Sequence, residues 1–83
     1  MMFLPEQISK LNELETLVFD FIIKSPEEVQ QMTIRDLASQ AHVSTSTIVR
    51  LCTKLGFEGW SDLKFYLKNQ LKEKTPEEQH YDN

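Results

Sequence analysis

Residues 34–57 read IRDLASQAHVSTSTIVRLCTKLGF, and their spacing decides the fold. Thr33 stands ahead of them as an N-cap, with Asp36 at the third helical position, so a helix is expected from Ile34 to about Ala41. Ile34, Leu37, Ala38 and Ala41 fall on one side of it. His42-Val43 forms a tight link. Ser44 caps a second helix that runs to Leu55, with Ile48, Leu51, Cys52 and Leu55 as its buried stripe. Gly56 is placed to close that helix in the left-handed conformation, with Phe57 packing back. Ala38 is small where two helices must cross closely, and Val43 plugs the space between them. Ile48 and Leu51 recur where the second helix meets the first. Together these positions make a helix-turn-helix spacing.

Working outward, the same signals give more helices and no strand, because no segment sustains an alternation of period two. A short helix is expected from Pro5 to Lys10, with Phe3, Leu4, Ile8 and Leu11 as its apolar residues. Asn12 caps the next, Glu15 completes a capping box, and the helix runs to Lys24. Leu14, Leu17, Val18, Phe21 and Ile22 follow helical spacing and are expected as its buried stripe. Ser25-Pro26 stops it, and one further turn is expected within Glu27 to Gln31. After the helix-turn-helix, another helix begins near Gly59–Ser61 and continues to about Lys72. Trp60, Leu63, Leu67 and Leu71 form its stripe, widened by Phe65 and Tyr66. The fold class is therefore all-α, a small bundle of about five helices. Residues 1–73 form the domain, and 74–83, polar and acidic, form a tail or linker. Phe3, Leu4 and Ile8 either close the core or make a dimer contact.

A chain of 83 residues makes one small domain with a modest core. Cys52 is its lone cysteine, so no intrachain disulfide can form, which suits a reducing cytoplasmic setting. Pro5 and Glu6 interrupt any leader-like start, and the longest apolar run, Leu17 to Ile23, is broken by Asp20, so no membrane association is expected. The formal net charge of −4 argues against a polyanionic partner, but its distribution reverses that inference. Residues 1–32 carry −4 and the tail −3, whereas residues 33–74 carry +3.

The positive segment contains an unusual helix. Ser44 to Thr47 is an unbroken row of hydroxyl residues, and from Val43 through Phe57 there is no Asp or Glu. Ser and Thr are mediocre helix formers, so such a row must cap the helix or touch something. At about 100° per residue, Ser46, Thr47, Arg50, Thr53 and Lys54 cluster opposite the buried stripe. Short hydroxyl side chains let a helix approach base edges and phosphates, and Arg and Lys bind guanine or neutralise phosphate. The helix N-terminus adds unpaired N–H donors. This face suits a DNA major groove. The candidate DNA-binding residues are Thr33, Ser44, Thr45, Ser46, Thr47, Arg50, Lys54, Lys64 and Lys68. Arg50 is favoured because no acid lies one turn away on its own helix.

The stretch IRDLASQAHVSTSTIVRLCTKLGFEGWSDLK resembles the N-terminal helix-turn-helix domain of RpiR-family bacterial transcription regulators. The family pattern is matched by Val43-Ser44, Thr47-Ile48-Val49-Arg50, Lys54-Leu55-Gly56-Phe57 and Gly59-Trp60. The resemblance spans about Leu11 to Leu71. It implies a homeodomain-like fold, operator DNA as partner, and control of carbohydrate or amino-sugar metabolism genes, with repression and activation both left open. It also implies a longer, homodimeric regulator whose C-terminal sugar-isomerase domain binds a phosphosugar effector. His42 departs from the pattern, since turns of this kind favour Gly or Asn for a positive φ. Trp60 stands where the family more often has Phe.

Other functions fit the sequence less well. A helical protein-interaction or dimerisation module using the N-terminal apolar residues is the main alternative. An enzyme is not expected, because His42, His80 and Cys52 have no triad spacing. They have no metal-ligand spacing either, and no cofactor is implied. Cys52, Phe57, Trp60, Phe65 and Tyr66 are expected in the core.

Overall fold

The computed structural model describes residues 3–73. Six helices make up its regular structure: α1 (Pro5–Ser9), α2 (Glu13–Lys24), α3 (Pro26–Val29), α4 (Ile34–Ala41), α5 (Thr45–Lys54) and α6 (Trp60–Glu73). The sixth beyond the expected five is α3, the single further turn, which starts at Pro26 itself rather than at Glu27. Expectations for residues 74–83, His80 among them, lie outside the described residues.

The helices start where side chains cap them. Asn12 Oδ1 accepts the Glu15 N–H at 2.8 Å while Glu15 Oε1 accepts the Asn12 N–H at 3.0 Å. Thr33 and Asp36 repeat this reciprocal pair at α4, at 3.1 Å each way. Ser44 Oγ accepts the Thr47 N–H at 3.3 Å. These bonds satisfy amide groups that the first turn of any helix leaves without partners.

The core forms around α5, which packs against α2, α4 and α6. Ile48, Leu51, Cys52 and Leu55 face inward as the sequence spacing predicts, meeting Leu37 and Ala38 from α4 and Trp60, Leu63 and Leu67 from α6. The Trp60 indole donates to the Met32 carbonyl at 3.1 Å. Phe3 closes the N-terminal side, with ring centroids 5.3 Å from Phe19 and 5.7 Å from Tyr66. Of the three terminal residues that sequence left undecided, Phe3 joins the core, while Leu4 and Ile8 stay exposed.

Two apolar assignments need correction. The buried face of α2 is Glu15, Val18, Phe19 and Ile22, whereas Leu14 and Leu17, expected inside, are 48% and 60% exposed. Both sets satisfy helical spacing, and packing against α5 selects the register one residue later. Phe65, expected in the core, is 64% exposed, because α6 buries the side that carries Leu63 and Leu67.

Candidate nucleic-acid interface

Packing on three sides leaves α5 one free face. Thr45, Ser46, Val49, Arg50 and Thr53 are exposed. At 100° per residue they span an arc of about 140°. Hydroxyl groups lie at the N-terminal end of this arc, an arginine lies further along, and no acid lies on it.

Thr47 is not on that face. It is only 2% exposed, and its hydroxyl lies 3.2 Å from Ser44 Oγ. As the third residue of the helix it turns back to the cap, and the exposed arc extends instead through Val49 and Thr45 on the side away from it. Ser44 serves as the N-cap while remaining exposed. Thr33 holds the equivalent place on α4 and is also exposed.

The two cations of α5 converge on an acid from another helix. Lys54 Nζ donates to Glu15 Oε1 at 2.7 Å and to the Lys10 carbonyl at 3.1 Å. Arg50 Nε lies 3.4 Å from Glu15 Oε2, and Arg50 Nη2 donates to Thr47 Oγ1 at 3.4 Å. The Glu15 side chain is fully buried, that of Lys54 is 32% exposed and that of Arg50 is 54% exposed. Lys54 is thus turned largely inward, and Arg50 stands half in solvent. Burial pushes the Glu15 carboxyl up, but the Lys54 ammonium, the Asn12 amide and Arg50 together hold it below the usual carboxylate range. Sequence spacing identifies Glu15 as a capping residue and misses this role.

Lys64 and Lys68 are brought together on α6, where they line a shallow groove with Gln30, Ser61 and Phe65. None of the exposed α5 residues lines that groove. Burial pushes the Cys52 thiol up to about 11, so it stays protonated in the core. Among the described residues no His, Cys, Asp and Glu cluster is placed to hold a metal ion, and no helix is long and apolar enough to cross a membrane.

The helix-turn-helix as a whole has a counterpart among known domains. The model of the rpiR-family helix-turn-helix domain matches residues 2–74. The chain belongs to the rpiR family. It is 32% identical over 69 residues to an uncharacterised HTH-type transcriptional regulator of Haemophilus influenzae, covering 83% of this chain and 24% of that protein. It is 36% identical over 63 residues to the HTH-type transcriptional regulator GlvR of Bacillus subtilis, covering 76% and 25%. For the regulator HexR of Pseudomonas aeruginosa the identity is 31% over 68 residues, covering 82% and 24%. The crystal structure of the N-terminal domain of ybbH from Bacillus subtilis superposes with a TM-score of 0.70 at 28% identity, covering 76% of this chain and 77% of that one. The chain spans about a quarter of the length of the relatives it matches. This rpiR-family domain is thus a helix-turn-helix domain of the kind carried by HTH-type transcriptional regulators.

Proposed function

We propose that this domain reads operator DNA with α5 in the major groove. The observation that carries the proposal is the exposed arc of α5, with Thr45 and Ser46 at a helix N-terminus, Arg50 one turn on, and no acid. Thr45, Ser46 and Arg50 meet base edges and phosphates, and Ser44 and Thr33 add phosphate contacts at their helix starts. Lys54 acts mainly by bracing α2 against α5. Lys64 and Lys68 contribute phosphate contacts from α6. Residues 1–73 form the DNA-binding unit, and 74–83 lead toward the rest of a longer regulator.

The exposed Leu14 and Leu17 on α2 favour a protein contact on that side, used for homodimerisation in the full-length regulator. A dimer places two α5 helices about 34 Å apart, matching a pseudo-palindromic site. Family membership supports the remaining parts of the proposal. These are control of carbohydrate or amino-sugar genes, and a phosphosugar effector held by a further domain.

Fluorescence anisotropy with a labelled random 20-bp duplex, read at rising salt, tests the DNA contact. Wild type is expected to bind at low salt and to weaken steeply as salt increases. Arg50→Ala should weaken it at every salt concentration. Ser46→Asp is the sharper variant, because an acid in the first turn suits the helix dipole yet repels phosphate. It should fold at least as well as wild type and bind worse. Removing Lys64 or Lys68 should each lower the log–log salt slope by about one. A folded wild-type domain with no salt-dependent binding would defeat the proposal and favour the protein-interaction alternative.

A further inference from the structure

Glu15 is the one charged side chain among the described residues that is fully buried. The capping box alone does not require the charge, since glutamine fills this position equally well. The cap and Lys54 both use Oε1, at 3.0 and 2.7 Å. Oε2 is buried and makes no hydrogen bond, and the group beside it is Arg50 Nε at 3.4 Å. Lys54 alone balances the carboxylate, so Arg50 is a second cation brought to a single buried anion. Its guanidinium is held from two sides, by Glu15 at Nε and by Thr47 at Nη2, while its side chain stays 54% exposed.

We infer that Glu15 is a positioning residue for DNA binding: from α2 it fixes the orientation of the Arg50 guanidinium on α5, so that Arg50 meets the duplex already aligned. This rests on the proposal that Arg50 contacts DNA. A free arginine gives up side-chain freedom when it binds, and a clamped one has already given it up. The buried carboxylate also ties the orientation of Arg50 to the seating of α2 on α5. Anything that shifts α2 therefore changes the DNA-contacting face without touching it.

A double-mutant cycle tests the inference, using Glu15→Gln, Arg50→Ala and the double variant with the random 20-bp duplex. Glu15→Gln removes a negative charge, which on charge alone strengthens binding to any duplex. The positioning role predicts the opposite sign. Glu15→Gln should weaken binding about fivefold with Arg50 present and have no weakening effect with Ala at position 50. Equal weakening in both backgrounds would mean a general structural role and overturn the inference, as would tighter or unchanged binding in the Arg50 background. If Arg50→Ala itself binds like wild type, the DNA-contact proposal falls and takes the inference with it. Circular dichroism melts establish which variants are folded. Should Glu15→Gln fail to fold, the wild-type arginine Nε–Hε signals decide the matter. Arg35 and Arg50 are the chain's only arginines, so two signals are expected. An Arg50 signal shifted away from that of the exposed Arg35 supports the clamp; two alike signals reject it.

Discussion

Arg50 and Lys54 share one carboxylate and divide its demands unequally. Lys54 is the shorter contact and the more buried partner, and it also ties down the Lys10 carbonyl. Removing it strands part of a buried charge, which typically costs several kcal/mol in a protein interior. Arg50 remains nearby, so Lys54→Met should cost about 2 kcal/mol of stability. Arg50 is half exposed, so water can enter where it stood, and Arg50→Ala should cost about 1 kcal/mol or less. Thermal melts followed by circular dichroism should therefore rank Lys54→Met well below Arg50→Ala in Tm, with the order reversed for loss of DNA affinity. Equal melting temperatures would show that the two cations are interchangeable. Sequence alone exposes half of this arrangement. The hydroxyl row, the arginine and the acid-free stretch are local and can be read directly. The acid that receives Lys54 lies 39 positions away, and no spacing rule reaches that far.

At the scale of elements, α4 and α5 leave their helices in the same way. Val43 N–H donates to the Ala38 carbonyl at 3.0 Å and His42 N–H to Ser39 at 3.3 Å; Phe57 N–H donates to Cys52 at 2.8 Å and Gly56 N–H to Thr53 at 3.0 Å. Both exits need a left-handed residue, supplied by His42 at φ 60° and Gly56 at φ 94°. Glycine takes that conformation freely, and histidine tolerates it at a cost. His42→Gly should leave stability unchanged or raise it slightly, since relief of strain offsets the greater freedom of the unfolded chain. His42→Val places a β-branched residue there and should cost about 1–2 kcal/mol. Chemical denaturation of the three proteins checks this; a Val variant as stable as wild type would mean that the turn relaxes. The turn was legible because helix stops have few chemical solutions. The inner face of α2 was not. Leu14, Leu17, Val18, Phe19, Phe21, Ile22 and Ile23 crowd one helix, so two adjacent registers look equally apolar. The true register begins with a glutamate, which a rule based on hydrophobic periodicity passes over. Phe65 misleads for the same reason: α6 carries more apolar residues than its partners can cover.

For the whole molecule, Glu15 accepts from Asn12 in the α1–α2 link and from Lys54 on α5, and Lys54 in turn holds the Lys10 carbonyl, so its ionisation bears on the stability of the entire fold. Its carboxyl is held below the usual carboxylate range in the folded state, while in the unfolded chain it titrates near the ordinary glutamate value of about 4.3. A lowered folded-state pKa means that the unfolded chain binds the proton first as pH falls. The stabilisation is therefore complete above the unfolded value and fades as pH drops through the folded one. Glu15→Gln cannot titrate, so it should melt below wild type by a constant margin from pH 6 to 8, with the margin shrinking below about pH 4.5. Because both proteins carry the same other carboxylates, the difference isolates Glu15 from general acid destabilisation. Melts at matched ionic strength across that range provide the measurement. A margin that stays constant down to pH 3 would show that shape and capping, rather than the buried charge, hold α2 against α5.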